Sequence, residues 1–333
     1  MGNIEQESWR DVVLRYRNPD IGRSAAQIAT TLVPLLALWA LMYWSLDVSY
    51  ALTLALAVPA AGFLVRAFIL FHDCGHGSFF QSQRANHTLG FITGVLTFTP
   101  YFYWRHNHAV HHKTSGNLDK RGTGDIWTLT ADEYRALPPL RRLGYAVYRH
   151  PLFMLGFGSI FTFLVLQRFP RGEVGTRERR SVHWTNLALL VILTILIAWA
   201  GWRAVVMVHL PVLWLAAVVG TWMFYVQHQF EDTYWVHEEE WDYAEVALAS
   251  SSYYKLPRIL QWFTGNIGFH HIHHLSSRIP NYRLEACYDE NPRFQKQNPL
   301  TLRTSLKCLS LRLWDEDRHK LIGFTDLQES AAA

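Results

Sequence analysis

Cysteine and charge are both scarce in this sequence. Three cysteines among 333 residues exclude a disulfide scaffold and fit a reducing compartment. Charged residues make up 17%, against about a quarter in an ordinary soluble domain. That scarcity argues against a chain surrounded by water on all sides. A net charge of +4 is too small to argue for a nucleic-acid partner. The N-terminus has no early apolar run with a small-residue cleavage site, so no signal peptide is expected. The stretch Arg121-Gly122-Thr123-Gly124-Asp125 lacks a third glycine and a preceding apolar strand. It reads as a turn, not a dinucleotide fingerprint.

What the sequence has in quantity is apolar surface, tryptophan and histidine. Half the residues are hydrophobic, with 14 Trp and 17 His, so disorder is excluded. Apolar runs cover residues 25–46 and 50–71, separated at Asp47, and residues 187–202 and 204–226, separated at Arg203. Each is long enough for a transmembrane helix or close to it, and Pro34 is tolerable inside a bundle. Arg66 lies near one end of its run and is expected to snorkel to the interface. Basic residues collect at Arg10, Arg15, Arg17 and Arg23 and again at Arg168, Arg171, Arg177, Arg179 and Arg180. The positive-inside rule places both stretches, and both termini, in the cytosol.

The expected fold is therefore an all-α integral membrane protein of one domain, residues 1–333. Four transmembrane helices form two hairpins, and residues 72–186 and 227–333 form a cytosolic helical cap. The apolar segments 88–104 and 153–169 read as interfacial or re-entrant helices; the alternative is an extra pair of spans.

Eleven of the 17 histidines fall in four places. These are His72 and His76; His106, His108, His111 and His112; His228; and His270, His271, His273 and His274. At about 100° per helical residue, His72 and His76 share a face. So do His108, His111 and His112, and likewise His270, His273 and His274, which predicts that each box presents its imidazoles to one point. His106 falls opposite His108 and His271 lies at the flank, so neither joins the ligand set. The other nine follow spans two and four or lie in the cap, so all can meet there. Imidazole suits Fe, Cu, Ni and Zn, and nine exceed the four that one tetrahedral ion takes, so two metals are expected. Asp73, Asp119, Asp125, Glu231 and Asp232 are candidates to orient the rings. Asn266 reads as the N-cap of the helix carrying box three, or as a hydrogen-bond partner for a metal-bound water. Cys74 reads as a small packing residue.

His72-x3-His76, His108-x2-His111-His112 and His270-x2-His273-His274 resemble the three histidine boxes of the membrane fatty acid desaturase superfamily. Residues 72–80, 114–127, 225–232 and 265–275 are similar to those of bacterial acyl-lipid desaturases, and the likeness runs from about Ala25 to Asp317. The resemblance implies a non-haem diiron centre with two Fe ions, O2 as co-substrate and a membrane-lipid acyl substrate. It implies a cytosolic site, with His228 as an additional ligand. It also implies two electrons per turnover from an external donor, ferredoxin or flavodoxin in bacteria. His150-Pro151 is followed by Leu152 and Phe153, so the haem motif of a fused cytochrome b5 is not present there. Hydroxylases and terminal-alkene-forming decarboxylases share the boxes and are the alternative reaction. A metal transporter or sensor is disfavoured, because transport needs ionisable groups within the spans. Trp39, Trp44, Trp104, Trp222 and Trp262 are candidates to line an acyl tunnel or simply to pack.

Overall fold

The computed structural model describes residues 8–329. Seven helices position the histidines: α1 (Ile21–Ser45), α2 (Tyr50–His76), α3 (Gln83–Leu96), α4 (Tyr101–Thr114), α5 (Thr176–Ala200), α6 (Trp202–His228) and α7 (His270–Leu275). Of these, α1, α2, α5 and α6 are long and apolar enough to cross a membrane. The Asp20 side chain caps α1 by accepting from the Arg23 N–H at 2.9 Å, satisfying one of the first-turn donors.

The helices outrun the apolar runs, because helical hydrogen bonding does not stop where hydropathy falls. Helix α2 continues through the first histidine box, and α5 starts inside the arginine-rich stretch at Thr176. The second hairpin turns at Gly201, not at Arg203. Its φ of +80° is one that glycine adopts without steric cost.

Helices α1, α2 and α6 share a buried core of Leu35, Met42, Ala57, Ala60, Ala61, Leu64, Val208 and Val212. The alanines on one face of α2 let the neighbouring backbones approach closely. Arg66 does not snorkel. It is 4% exposed, donates from Nε to Thr31 Oγ1 at 3.1 Å and from Nη1 to the Trp262 carbonyl. Its guanidinium also lies 3.9 Å from the centre of the Trp262 ring. These neutral acceptors and the aromatic face hold the cation inside the protein, so it need not reach the interface.

The segment 88–104 is divided between α3 and α4, with the break at residues 97–100. The segment 153–169 forms a π-helical turn (Leu152–Gly158), an α-helical turn (Ser159–Leu164) and a 3-10 turn (Leu166–Arg168). It follows the helix Pro139–Tyr148 at a bend of 65°, and the pair would count as a fifth crossing if taken as one span.

Helix α7 buries Ile272 and Leu275 with Tyr253, Phe269 and Leu284 in a second core. A small sheet adds to the helical expectation. Strand β1 (Leu129–Thr130) pairs in parallel with β2 (Leu313–Asp315), which pairs antiparallel with β3 (Lys320–Ile322). It ties the C-terminal region to the segment that follows Asp125.

Candidate metal centre

Helix α2 ends at Gly77, which takes φ +65° and donates its N–H to Cys74 O at 3.0 Å, while the Ser78 N–H reaches Asp73 O at 3.0 Å. A left-handed residue at this point is how helices close off their last carbonyls. Just before it, His72 and His76 lie one turn apart and bring their Nε2 atoms to 3.3 Å. His72 Nδ1 donates to Asp73 Oδ1 at 3.3 Å, since a carboxylate can only accept. Asp73 Oδ2 in turn accepts from the backbone N–H and side-chain Nδ2 of Asn281 at 2.7 and 2.8 Å.

Helix α4 is locked to α2 by Tyr101, whose hydroxyl donates to Cys74 O at 2.6 Å. His108 and His112 bring their Nε2 atoms to 3.2 Å, and His273 Nε2 from α7 lies 3.1 Å from that of His112. On the other side, His228 Nε2 at the end of α6 lies 3.2 Å from His111 Nε2 and 2.9 Å from His270 Nε2. His111 Nδ1 donates to Asp125 Oδ1 at 2.5 Å, and His228 Nδ1 to the Ser250 carbonyl at 3.3 Å.

The result is two clusters. His72, His76, His108, His112 and His273 form one, and His111, His228, His270 and His274 form the other, with one nitrogen from each ring within 4.8 Å of the rest of its set. The expectation that each box faces a single point is corrected. Boxes two and three divide: in each, the i, i+4 pair stays together and the i+3 histidine faces the other cluster. Consecutive helical residues point about 100° apart, so His111 and His112 cannot face one centre, nor can His273 and His274.

These residues fit metal ions. Nitrogens about 2.0–2.1 Å from a common ion lie about 2.9 Å apart at right angles and about 3.4 Å apart at tetrahedral angles. The observed Nε2 pairs span 2.9 to 3.3 Å. A neutral ring has one N–H, and Asp73, Asp125 and Ser250 take it from His72, His111 and His228, which leaves a lone pair aimed into each cluster. His274 Nε2 is buried with no hydrogen-bond partner. Burial, and then the neighbouring imidazoles, hold the pKa values of His108, His112, His270, His273 and His274 well below the usual histidine range. In these five rings the protonated form is disfavoured, and neutral imidazole is the form that binds metal. The clusters adjoin: His112 of one stacks on His274 of the other at 4.1 Å and 18°.

The other sequence candidates are placed as follows. Asp73 and Asp125 touch ring nitrogens, as above. Asp119 lies on the surface, accepting from His237 Nδ1 and the Glu238 N–H at 2.9 Å each. Glu231 pairs with Lys307, and Asp232 is exposed. Of the five acids close to a histidine box in the chain, Asp73 and Asp125 touch a ring nitrogen of the two clusters. Asn266 is not the N-cap of α7; Phe269 is. Asn266 takes φ +58° and donates to Asn281 O at 3.2 Å, which joins it to the segment that holds Asp73. His106 is exposed outside both clusters. His271 is fully buried 3.0 Å from the Phe294 carbonyl, and burial pushes its pKa down to about 4. Among the candidate tryptophans, Trp104 stacks on His108 at 4.2 Å, Trp222 donates to Tyr254 OH at 3.3 Å and Trp44 is exposed.

Sequence reasoning missed Asn281, the Ser250 carbonyl, and Phe224, whose ring lies 5.2 Å from His111 and 5.3 Å from His228. Phe224 sits one turn before His228 on α6, so helical spacing could have found it. Asn281 and Ser250 come from segments with no periodic signal.

The sequence pattern of the fatty acid desaturase family matches residues 48–305. A fatty acid desaturase of Bacillus subtilis (strain 168) is 47% identical over 320 residues, covering 96% of this chain and 91% of that protein. The sn-1 oleoyl-lipid 12-desaturase of Synechocystis sp. is 28% identical over 68% of this chain and 64% of its own length. The sn-1 acyl-lipid omega-3 desaturase (ferredoxin) of Nostoc sp. is 25% identical over 65% of this chain and 61% of its own length. This chain thus spans less than two thirds of those two relatives. With its four apolar helices and its paired histidine clusters, the chain belongs to the fatty acid desaturase family and is an oxidoreductase.

Proposed function

We propose that the protein introduces a cis double bond into an acyl chain of a membrane lipid, with two iron ions at the histidine clusters and O2 as co-substrate. The observation that carries this reading is the convergence of imidazole nitrogens on two adjoining points. His72, His76, His108, His112 and His273 would hold one ion, and His111, His228, His270 and His274 the other. When bound, such ions supply the oxidising chemistry that removes hydrogen from an unactivated methylene, which no side-chain base can do. Overall, –CH2–CH2– and O2 with two electrons and two protons give –CH=CH– and two waters.

The chain's own groups set the conditions. Asp73, Asp125 and the Ser250 carbonyl fix ring orientation by accepting the Nδ1 protons. The histidines of the four-histidine cluster are all buried, which shields that cluster from bulk water. An apolar path at fixed depth would select the carbon by position rather than by chemistry. The electrons come from an external carrier of the ferredoxin or flavodoxin type; one relative carries ferredoxin in its name. The arginine-rich stretches support a position in the cytoplasmic membrane with both termini and the clusters on the cytosolic side.

The test is expression of the chain in a host that lacks the activity, followed by gas chromatography with double-bond location. A new cis-unsaturated lipid species is expected. A hydroxylated or shortened product would instead select the hydroxylase or decarboxylase reading. Purified active protein is expected to carry two irons per chain.

A further inference from the structure

We propose that Arg149 is a positioning residue for the four-histidine cluster; this rests on the reading of that cluster as a metal site. Arg149 is fully buried, and among the described residues no carboxylate pairs with it. A buried cation without a counter-charge is costly unless its donors are satisfied. Here neutral acceptors surround the two terminal nitrogens, among them the Tyr225 hydroxyl at 3.4 Å from Nη2, while Nε has no partner. Nη1 donates to the Trp127 carbonyl at 2.9 Å and to Thr128 Oγ1 at 2.7 Å. Nη2 donates to Gln229 Oε1 at 2.8 Å and to the Leu311 carbonyl at 3.1 Å.

These acceptors belong to three separate segments. Trp127 and Thr128 follow Asp125, the acceptor for His111 Nδ1. Gln229 follows His228 directly. Thr128 Oγ1 also lies 3.2 Å from Gln229 Oε1, closing the arrangement. Leu311 leads into β2, which pairs with β1 at Leu129 and Thr130. The guanidinium thus sets the spacing between the segment that orients His111 and the helix end that supplies His228. The five-histidine cluster has its own fastening through Asp73 and Asn281 and does not depend on Arg149. A planar group with five donors in a rigid fork can bridge such a set, and an ammonium cannot match it.

The test uses the full chain, purified and loaded with 57Fe. Iron per chain and Mössbauer spectra are followed during titration with a chelator, for the native chain, Arg149→Met and Thr128→Val. The expected result is that Arg149→Met releases one of the two irons about 10-fold more readily and leaves the other unchanged. Thr128→Val, which keeps the guanidinium buried and removes one acceptor, releases the same iron by a smaller factor. In a His274→Ala background, which lacks that iron, Arg149→Met has no further effect. Retention of both irons at native affinity in the variants overturns the proposal, and so does parallel loss of both. If Arg149→Met fails to fold, Thr128→Val decides by the same criterion. Fewer than two irons in the active native chain overturns the metal reading itself, whatever the variants do.

Discussion

The two histidine clusters differ in where their support comes from. The five-histidine cluster has an orienting acid next to its histidine in the chain: Asp73 sits beside His72 on α2, and Asn281, 208 residues further on, holds Asp73 in turn. Its His76, His108 and His112 are only partly buried. The four-histidine cluster is completely buried, has one fewer nitrogen, and has its acceptors 14 and 22 residues from their rings: Asp125 on a turn and Ser250 after α6, with Arg149 behind them. The cluster with fewer histidines is the one with no orienting acid adjacent in the chain to a histidine it contains. An ion there has more room for ligands that are not protein.

The largest test of this difference removes a histidine from each cluster. His273→Ala and His274→Ala are both expected to abolish desaturation, yet the iron lost should differ: from the five-histidine cluster in the first, from the four-histidine cluster in the second. Metal analysis with Mössbauer spectroscopy distinguishes them, and identical spectra would mean the two clusters act as one site. The exposed His183 on α5 provides the control, and His183→Ala should keep full activity.

Next come the orienting carboxylates. Asp125→Asn and Asp73→Asn should each weaken their own iron by about 10–100-fold, read as chelator sensitivity. Loss of both irons from either variant would break the distinction. A smaller effect is expected at His271, which is buried beside the Phe294 carbonyl but outside both clusters. His271→Ala should cost about 1–3 kcal/mol of stability, seen as a lower Tm, while the folded protein keeps two irons.

The smallest effect concerns the surface near the Asp125 turn. Hydrogen bonds from His237 to Asp119 and Glu316 raise its pKa above the ordinary value. The linked stability is fully present below about pH 6.5 and is lost as pH rises through the raised folded-state value. Tm should therefore decline over that window, and His237→Gln should flatten the decline. An unchanged slope in the variant would remove this contact from the support of the turn.

How much could be read from the chain follows the same division. The four apolar helices and the i, i+4 pairs within the boxes were legible, because hydropathy and the helical repeat are local signals, whereas the division of boxes two and three between two clusters was not. Asp73 and Asp125 were legible as neighbours of histidine boxes, but so were Asp119, Glu231 and Asp232, which turned outward. Proximity along the chain does not specify which way a loop side chain points. Arg66 read as an exposed snorkelling residue because its partners, Thr31 and Trp262, lie 35 and 196 residues away. Arg149 gave no signal at all, since its acceptors are mostly backbone and amide oxygens drawn from across the fold.

Neighbouring residues His111 and His112 serve different clusters from a single helical step, and His273 and His274 repeat the arrangement on α7. The separation between the two sites is thereby written into backbone geometry, much as the teeth of a gear fix its pitch. Turning either helix about its axis would carry one histidine toward its centre while drawing its neighbour from the other. Adjusting the gap between the centres without disturbing both therefore requires α4 and α7 to shift as bodies, a movement opposed by the Tyr101–Cys74 bond and the packing of Ile272 and Leu275.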